Sequence, residues 1–163
     1  NPGFYFVDSI GFKSISFDKS LCKEPVKASD GKISVLLVEP NKYPKMIEID
    51  DTLEAMQAVV GGDIEEYMPF EDEVAIICNE EGKVNGLTPN RAVYEENSRE
   101  MLDIICGKFF VAYAPFEAER FQSLPPDLAE KYREKFKYPE RFMRVNDEIV
   151  AVPFKPVRAD KER

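Results

Sequence analysis

Short apolar runs separated by turn residues dominate the sequence from residue 33 to residue 153, and they predict a protein rich in β-strands. The run Ser34–Val38 is typical of a strand buried on both faces, whereas Lys45–Ile49 alternates like a strand with one face in solvent. Further β segments are predicted at Ile64–Phe70, at Val74–Cys78, at Ile104–Ile105 with Phe109–Tyr113 across an interruption at Gly107, and in a last hairpin that turns at Asn146-Asp147.

A first helix is predicted between Asp51 and Val60. The Asp51 carboxylate can accept the free amide protons of the first turn, and Glu54 stands three residues later, as in a capping box. Gly61-Gly62 ends the helix, because glycine adopts the left-handed closing conformation at little steric cost. The apolar face that we expect to pack on the strand Val35–Val38 consists of Leu53, Met56 and Val60.

Two more helix starts are predicted downstream. Thr88-Pro89 fits an N-cap followed by proline at the first helical position, where the missing amide proton does no harm. Pro125-Pro126 precedes an amphipathic helix that Pro139 ends. The apolar stripe of that last helix consists of Leu128, Tyr132 and Phe136.

These elements predict an α+β fold with a mixed or mainly antiparallel sheet, hairpins, and two to three helices packed on the sheet. Residues 1–31 stand apart as an N-terminal β extension or the end of a preceding module, and residues 32–156 form a single α+β domain. The segment 157–163 is expected to be a loose polar tail.

Charge and composition narrow the function classes. The net charge is −9, and the stretch from Glu39 to Glu81 holds 13 acidic and 2 basic residues, so direct binding to nucleic acid is not expected. The chain has no histidine, which excludes Ser-His and Cys-His nucleophile pairs. Cys22, Cys78 and Cys106 lack metal-binding spacing, and such sparse cysteines predict a cytoplasmic protein. We expect no catalytic residue, no cofactor, no metal and no membrane span.

The most specific polar string runs from Asn79 to Ala92, and it supplies a candidate interaction surface. One interpretation is a recognition loop in which a helix start and an arginine hold an anion. The favoured interpretation is structural: a type I′-like turn at Glu81-Gly82, with Arg91 bound to Glu80, Glu81 or backbone carbonyls of the turn. The residues of the candidate surface are Asn79, Glu80, Glu81, Lys83, Asn90 and Arg91.

Three carboxylate clusters, at Glu65-Glu66, Glu71–Glu73 and Glu80-Glu81, could in principle provide acid–base or metal chemistry. Neighbouring residues in a strand point to opposite faces, so adjacent carboxylates rarely act as a pair. Solvated turns are therefore the expected role of these clusters.

Several strings of this sequence form a specific combination: Val38–Lys42, Glu48–Asp50, Leu53-Glu54 with Val60–Gly62, Ala75–Ala92, Asp103–Gly107, Phe121–Leu124 and Lys135–Phe142. Together they resemble one bacterial family, catalogued as domain of unknown function 3846. The resemblance spans Ile33 to Phe154, with Asn41 where glycine is usual and Asp63 where an aromatic is common. It implies an origin in gut bacteria, conjugative elements and phages, near anti-restriction genes, and it brings no established activity.

Two functions follow as expectations. The first is a non-enzymatic acidic interaction module of mobile elements, accessory or anti-restriction-like, with a protein partner; its carboxylates could imitate a phosphate track. The alternative is a small-ligand binder or enzyme that uses carboxylates with Lys83 or Arg91 around the Asn79–Arg91 loop. A concave site lined by Glu80, Asn90 and Arg91 would favour the alternative.

Overall fold

A five-stranded antiparallel sheet forms the centre of the computed structural model, which describes residues 31–156. The predictions for residues 1–30, for Cys22 and for 157–163 lie outside the described residues. In chain order the elements are β1 (Lys32–Val38), β2 (Lys45–Asp50), α1 (Leu53–Val60), β3 (Ile64–Tyr67), β4 (Val74–Asn79), β5 (Pro89–Tyr94), β6 (Met101–Cys106), β7 (Phe109–Tyr113), α2 (Pro126–Lys135), β8 (Glu140–Val145) and β9 (Glu148–Pro153).

The central sheet has the strand order β2-β1-β7-β4-β3, and every neighbouring pair is antiparallel. β5 with β6 and β8 with β9 form separate two-stranded ribbons. The predicted α+β class with hairpins is confirmed. No parallel strand pair occurs between residues 31 and 156, so of the two expected sheet types, mixed and mainly antiparallel, the structure has the antiparallel one.

The two faces of the central sheet are both buried, because β1, β4 and β7 carry apolar residues at consecutive positions. Even and odd positions alternate between the faces. In β4, for example, Val74 and Ile76 join the cluster beneath α2 and the β5–β6 ribbon, whereas Ala75 and Ile77 join the cluster beneath α1. Such double burial makes the three strands the core of the fold.

Helix α1 begins and packs differently from the sequence prediction. The cap is Thr52, whose Oγ1 accepts the Ala55 N–H at 3.1 Å, so the assignment of Asp51 as cap was wrong. The Asp51 carboxylate instead binds Arg120 at 2.6 Å. Met56 and Val60 are buried as predicted, but Leu53 is 53% exposed, and Val59 rather than Leu53 packs with them. Gly61 closes the helix at φ 82° as predicted.

The helix predicted at Thr88-Pro89 does not form. Pro89–Tyr94 is strand β5 and pairs with Met101–Cys106, so Ile104-Ile105 also belongs to a ribbon separate from β7. The residues Thr88-Pro89 are compatible with a helix start. Pairing of β5 with β6 instead buries Ala92, Val93 and Ile105. Tertiary packing therefore overrides the local propensity.

Helix α2 confirms its predicted apolar stripe. Tyr132 and Phe136 are buried, and Leu128 packs at the edge of the same cluster. The Phe136 ring meets Phe109 edge-on with centroids 5.4 Å apart. At its outer side, α2 is tied to the loop after β3, since Asp72 accepts hydrogen bonds from Tyr132 Oη at 2.8 Å and Lys131 Nζ at 2.6 Å.

This anchor predicts an acid-sensitive contribution to stability. The hydrogen bond from Lys131, followed by that from Tyr132, holds the pKa of Asp72 below its usual value of 3.8. A lowered folded-state pKa stabilises the protein above the unfolded value, and this contribution is lost as pH falls through the folded value. We expect Asp72→Asn to lower the midpoint of urea unfolding at pH 7 and to narrow its gap to wild type below about pH 4. An equal gap at both pH values would contradict the anchor.

The β8–β9 hairpin is the last ribbon and turns at Asn146-Asp147, as predicted. Both turn residues have positive φ, 52° and 69°, as a two-residue hairpin requires. One face of the hairpin leaves apolar side chains partly in solvent; they are Met143, Val145, Val150 and Val152.

Candidate functional site

The loop 80–88 carries the chain from β4 in the central sheet to β5 in the ribbon. It is held by backbone bonds from Gly82 N to Asn79 O at 3.2 Å and from Leu87 N to Gly82 O at 2.9 Å. Gly82 does not have the positive φ that a type I′-like turn at Glu81-Gly82 needs, so that assignment was wrong. Gly82 is needed for another reason: an added Cβ would lie 2.6 Å from the Cys106 carbonyl oxygen.

Gly82→Ala is therefore expected to destabilise the protein by about 1–3 kcal/mol, because the loop and the end of β6 must separate. Thermal unfolding of the purified variant measures this loss. Asn85→Ala, in the exposed part of the same loop, is the control and is expected to melt like wild type. A melting temperature for Gly82→Ala equal to that of the control would contradict the close approach.

Asn79 and Asn90, two residues of the predicted surface, are buried structural connectors. Asn79 donates from Nδ2 to the Val60 carbonyl at 3.1 Å, and its Oδ1 accepts the Glu81 N–H at 2.8 Å. Asn90 donates from Nδ2 to the carbonyls of Val38 at 3.0 Å and Gly107 at 2.8 Å. Each side chain satisfies backbone groups at junctions between elements.

Arg91 is almost completely buried, with 1% of its surface exposed. Its Nε donates to the Phe136 carbonyl at 3.0 Å, Nη2 donates to the Lys42 carbonyl at 2.8 Å, and Nη1 donates to Asn90 Oδ1 at 2.9 Å. The expected partners Glu80, Glu81 and the carbonyls of the turn were wrong, because the guanidinium points instead to backbone at the end of α2 and in the loop after β1. The expected structural role of Arg91 nevertheless matches this geometry.

Half-buried Glu140 lies beside this cluster, and the sequence analysis did not single it out. Its Oε1 accepts the Ala92 N–H at 2.8 Å. Burial raises the pKa of Glu140, while that hydrogen bond and Arg91 lower it. Burial also lowers the pKa of Arg91 to about 10, so the guanidinium stays charged at neutral pH. No local motif marks Glu140, since its partner lies 48 residues away.

The three other predicted surface residues, Glu80, Glu81 and Lys83, are exposed. Lys83 pairs with Asp103 on β6, and this hydrogen bond raises the Lys83 pKa. Glu80 and Glu81 form no ion pair with any residue between 31 and 156. The structure thus divides the predicted surface into a buried half that joins elements and an exposed half that is acidic apart from Lys83.

The described thiols are poorly suited to nucleophilic chemistry. Burial raises the pKa of Cys78 to about 12, and burial raises that of Cys106 as well, so both stay protonated at neutral pH. Across residues 31–156, no group of three or more His, Cys, Asp or Glu side chains is placed to hold a metal ion. Neither α1 nor α2 is long and apolar enough to cross a membrane.

An acidic edge borders the central sheet where β3 is the outermost strand. We define the acidic edge as the exposed residues Glu65 and Glu66 of β3 with Glu80 and Glu81 of the following loop. The Glu80 N–H donates to the Asp63 carbonyl at 2.9 Å, which sets the loop against the beginning of β3. No side chain of the described segment forms an ion pair with any of the four carboxylates. Their charge is therefore open to solvent and to partners.

A cavity of about 210 Å³ lies at the other end of β3. Glu66 and Met68 line it from the β3 side, and Phe116, Arg120 and Phe121 line it from the segment after β7. Met68 is 37% exposed and Phe116 is 66% exposed, so the mouth of the cavity is partly apolar. The cavity does not include any of the predicted surface residues.

These features define the chain as an α+β domain with a doubly covered antiparallel sheet and one acidic edge. The model of the family described as Domain of unknown function (DUF3846) matches residues 33–137, from β1 to the end of α2, and the chain belongs to this family. The suspected resemblance is thereby confirmed, and the β8–β9 hairpin follows the matched region. No curated protein and no solved structure matches the chain at a significant level.

Proposed function

We propose that this protein is a non-enzymatic interaction module that binds a protein partner through its acidic edge. The observation that carries the proposal is the set of four exposed carboxylates, Glu65, Glu66, Glu80 and Glu81, without ion-pair partners in the described part of the chain. The ion pairs that form between residues 31 and 156, for example Asp51 with Arg120 and Asp72 with Lys131, do not include any of these four carboxylates. Lys83, the cation that acts on Glu65, is already bound to Asp103, so the edge keeps a net negative charge. A surface with net charge of one sign attracts a partner of opposite charge and accelerates its association.

The alternative function, a ligand site built on Lys83 and Arg91, has less support. The guanidinium of Arg91 already donates hydrogen bonds to two backbone carbonyls and to Asn90. The ammonium of Lys83 is bound to Asp103. Asn90 and Arg91 face the protein interior rather than a cavity shared with Glu80. The mobile-element and anti-restriction-like setting, and the cytoplasmic location, stay predictions.

The test compares two baits that have lost equal charge. In the edge variant, Glu65, Glu66, Glu80 and Glu81 become Gln; in the control variant, the exposed residues Glu48, Glu100, Glu130 and Glu134 become Gln. Affinity capture from bacterial lysate at low salt is followed by titration of each purified captured protein. We expect wild type and the control variant to bind the same protein, and the edge variant and about 0.5 M salt to abolish binding. Equal binding by both variants, or no captured protein, overturns the proposal.

A further inference from the structure

Among residues 31–156, the outer side of β3 is an open sheet edge. β3 pairs with β4 on one side, and no strand of this described segment pairs with its other side. Asp63 and Glu80 form a hydrogen-bonded pair at 2.9 Å, and the antiparallel alternation continues this pattern to Glu65 opposite Cys78 and Tyr67 opposite Ile76. The amides and carbonyls of Ile64 and Glu66 therefore point away from β4, toward the open side.

Each of these two outward residues offers one donor and one acceptor. Within the described segment, no turn or loop hydrogen bond uses the backbone groups of Ile64 or Glu66. An extended chain laid against β3 would satisfy all four groups, as in peptide recognition by strand addition. The short edge suits a transient partner strand rather than a large permanent interface.

The side chains along β3 define what such a strand must carry. On the α1 side, the Glu66 carboxylate stands beside the cavity with Met68 and Phe116 at its mouth. On the opposite face of the sheet, Glu65 is exposed, and Tyr67 packs against the apolar cluster beneath α2 and the β5–β6 ribbon. An added strand with basic side chains and one apolar side chain matches these positions, because opposite charges across strands are favourable.

A second copy of this chain fits the edge poorly. Two β3 strands placed side by side would bring Glu65 and Glu66 of one copy next to those of the other, and like charges across strands are destabilising. The opposite sheet edge, β2, differs as well: it carries Lys45 and Glu48 together, and Asp50 is already paired with Lys32. The asymmetry of charge between the two edges selects β3 for a basic partner.

We propose that the open edge of β3 binds an extended basic protein segment by strand addition, with one apolar side chain of that segment in the cavity at Met68 and Phe116. This inference deepens the proposed function, on which it rests: it names the contact and the partner chemistry. Strand addition requires main-chain hydrogen bonds to Ile64 and Glu66. Binding through the acidic edge, as in the proposed function, requires only the charges of its carboxylates.

The probe is a panel of capped heptapeptides of lysine with a single Val, Ile, Leu or Phe at the central position, so that lysines lie on both faces of the added strand. Each peptide is paired with a copy N-methylated at alternate backbone positions. Amide hydrogen exchange of the full chain is followed by NMR with and without each peptide. We expect added protection at the Ile64 and Glu66 amides, none at the Met46 and Glu48 amides of the β2 edge, and loss of protection with the N-methylated copies.

Two protein variants separate the backbone contact from the charge. Glu66→Pro removes an outward amide and keeps the β3–β4 ladder, so it should fold and weaken peptide binding by about tenfold or more. Glu66→Gln keeps the amide and should weaken binding only several-fold. An equal loss in both variants, peptide binding without protection at Ile64 and Glu66, or no binding by any peptide overturns strand addition. Salt-sensitive binding that depends on the four carboxylates alone would leave the proposed function standing.

Discussion

Met56→Asp is expected to unfold the domain or to lower its stability by at least about 4 kcal/mol. Met56 is 5% exposed and packs with Val60, Val35 and Ile77 beneath α1. The substitution removes most of a buried apolar side chain and places a carboxylate where no cation can reach it. Since domains of this size are stable by about 5–15 kcal/mol, most of the stability would be lost. Circular dichroism and urea unfolding measure the effect.

Leu53→Asp is the matched control, because it introduces the same side chain into the same helix. Leu53 lies in the first turn of α1 and is largely exposed. A carboxylate near a helix N-terminus interacts favourably with the helix dipole, so this variant should unfold within about 1 kcal/mol of wild type. A stable Met56→Asp protein, or an equal loss in both variants, would show that α1 does not pack as described.

Arg91→Ala is expected to cost about 3 kcal/mol, which corresponds to a fall in melting temperature of roughly 10 °C. The substitution leaves the Phe136 and Lys42 carbonyls and the Asn90 side chain without a donor, and it also opens a cavity. Glu140, whose ionised form is already disfavoured by burial, would lose its neighbouring cation. The measurement is thermal unfolding at neutral pH.

Arg91→Lys separates charge from geometry at this site. A lysine keeps the charge but offers a single nitrogen, which cannot reach all three acceptors in the fixed arrangement of a guanidinium. We expect it to recover less than half of the loss, and Arg133→Ala on the exposed side of α2 to leave the melting temperature unchanged. Full recovery by lysine would show that the charge, rather than the bridging hydrogen bonds, stabilises this junction.

Much of the fold could be predicted wherever neighbouring residues decide the outcome. β1, β4 and β7 carry apolar residues at consecutive positions, so both faces of these strands must be covered, and they form the centre of the fold. The stripe with Tyr132 and Phe136 fixes the packing face of α2. At Asn146-Asp147, both residues can adopt positive φ, so the hairpin turn follows from the dipeptide itself.

The candidate site was predicted only in part, because its residues depend on distant partners. The string Asn79–Arg91 was correctly marked as unusual, but the sequence could not show that Asn79, Asn90 and Arg91 point inward. Their hydrogen-bond acceptors are on Val60, Val38, Gly107, Phe136 and Lys42. The sequence did not single out Glu140 at all, since no neighbouring residue indicates that this carboxylate is half-buried and bonded to β5.

By itself, the sequence determined the strand-rich α+β class, the buried core strands and the acidic character, since these depend on local periodicity, turn residues and charge. The resemblance to the family was carried by particular strings of residues instead. Only the tertiary structure decided that β7 inserts between β1 and β4, that Pro89–Tyr94 is a strand, and that β3 is the outermost strand of the sheet formed by residues 31–156. Which strands pair depends on the apolar surface that segments far apart in sequence bury against each other. The free energy of this burial is larger than any local preference for helix or strand. The acidic edge therefore exists because folding leaves β3 outermost.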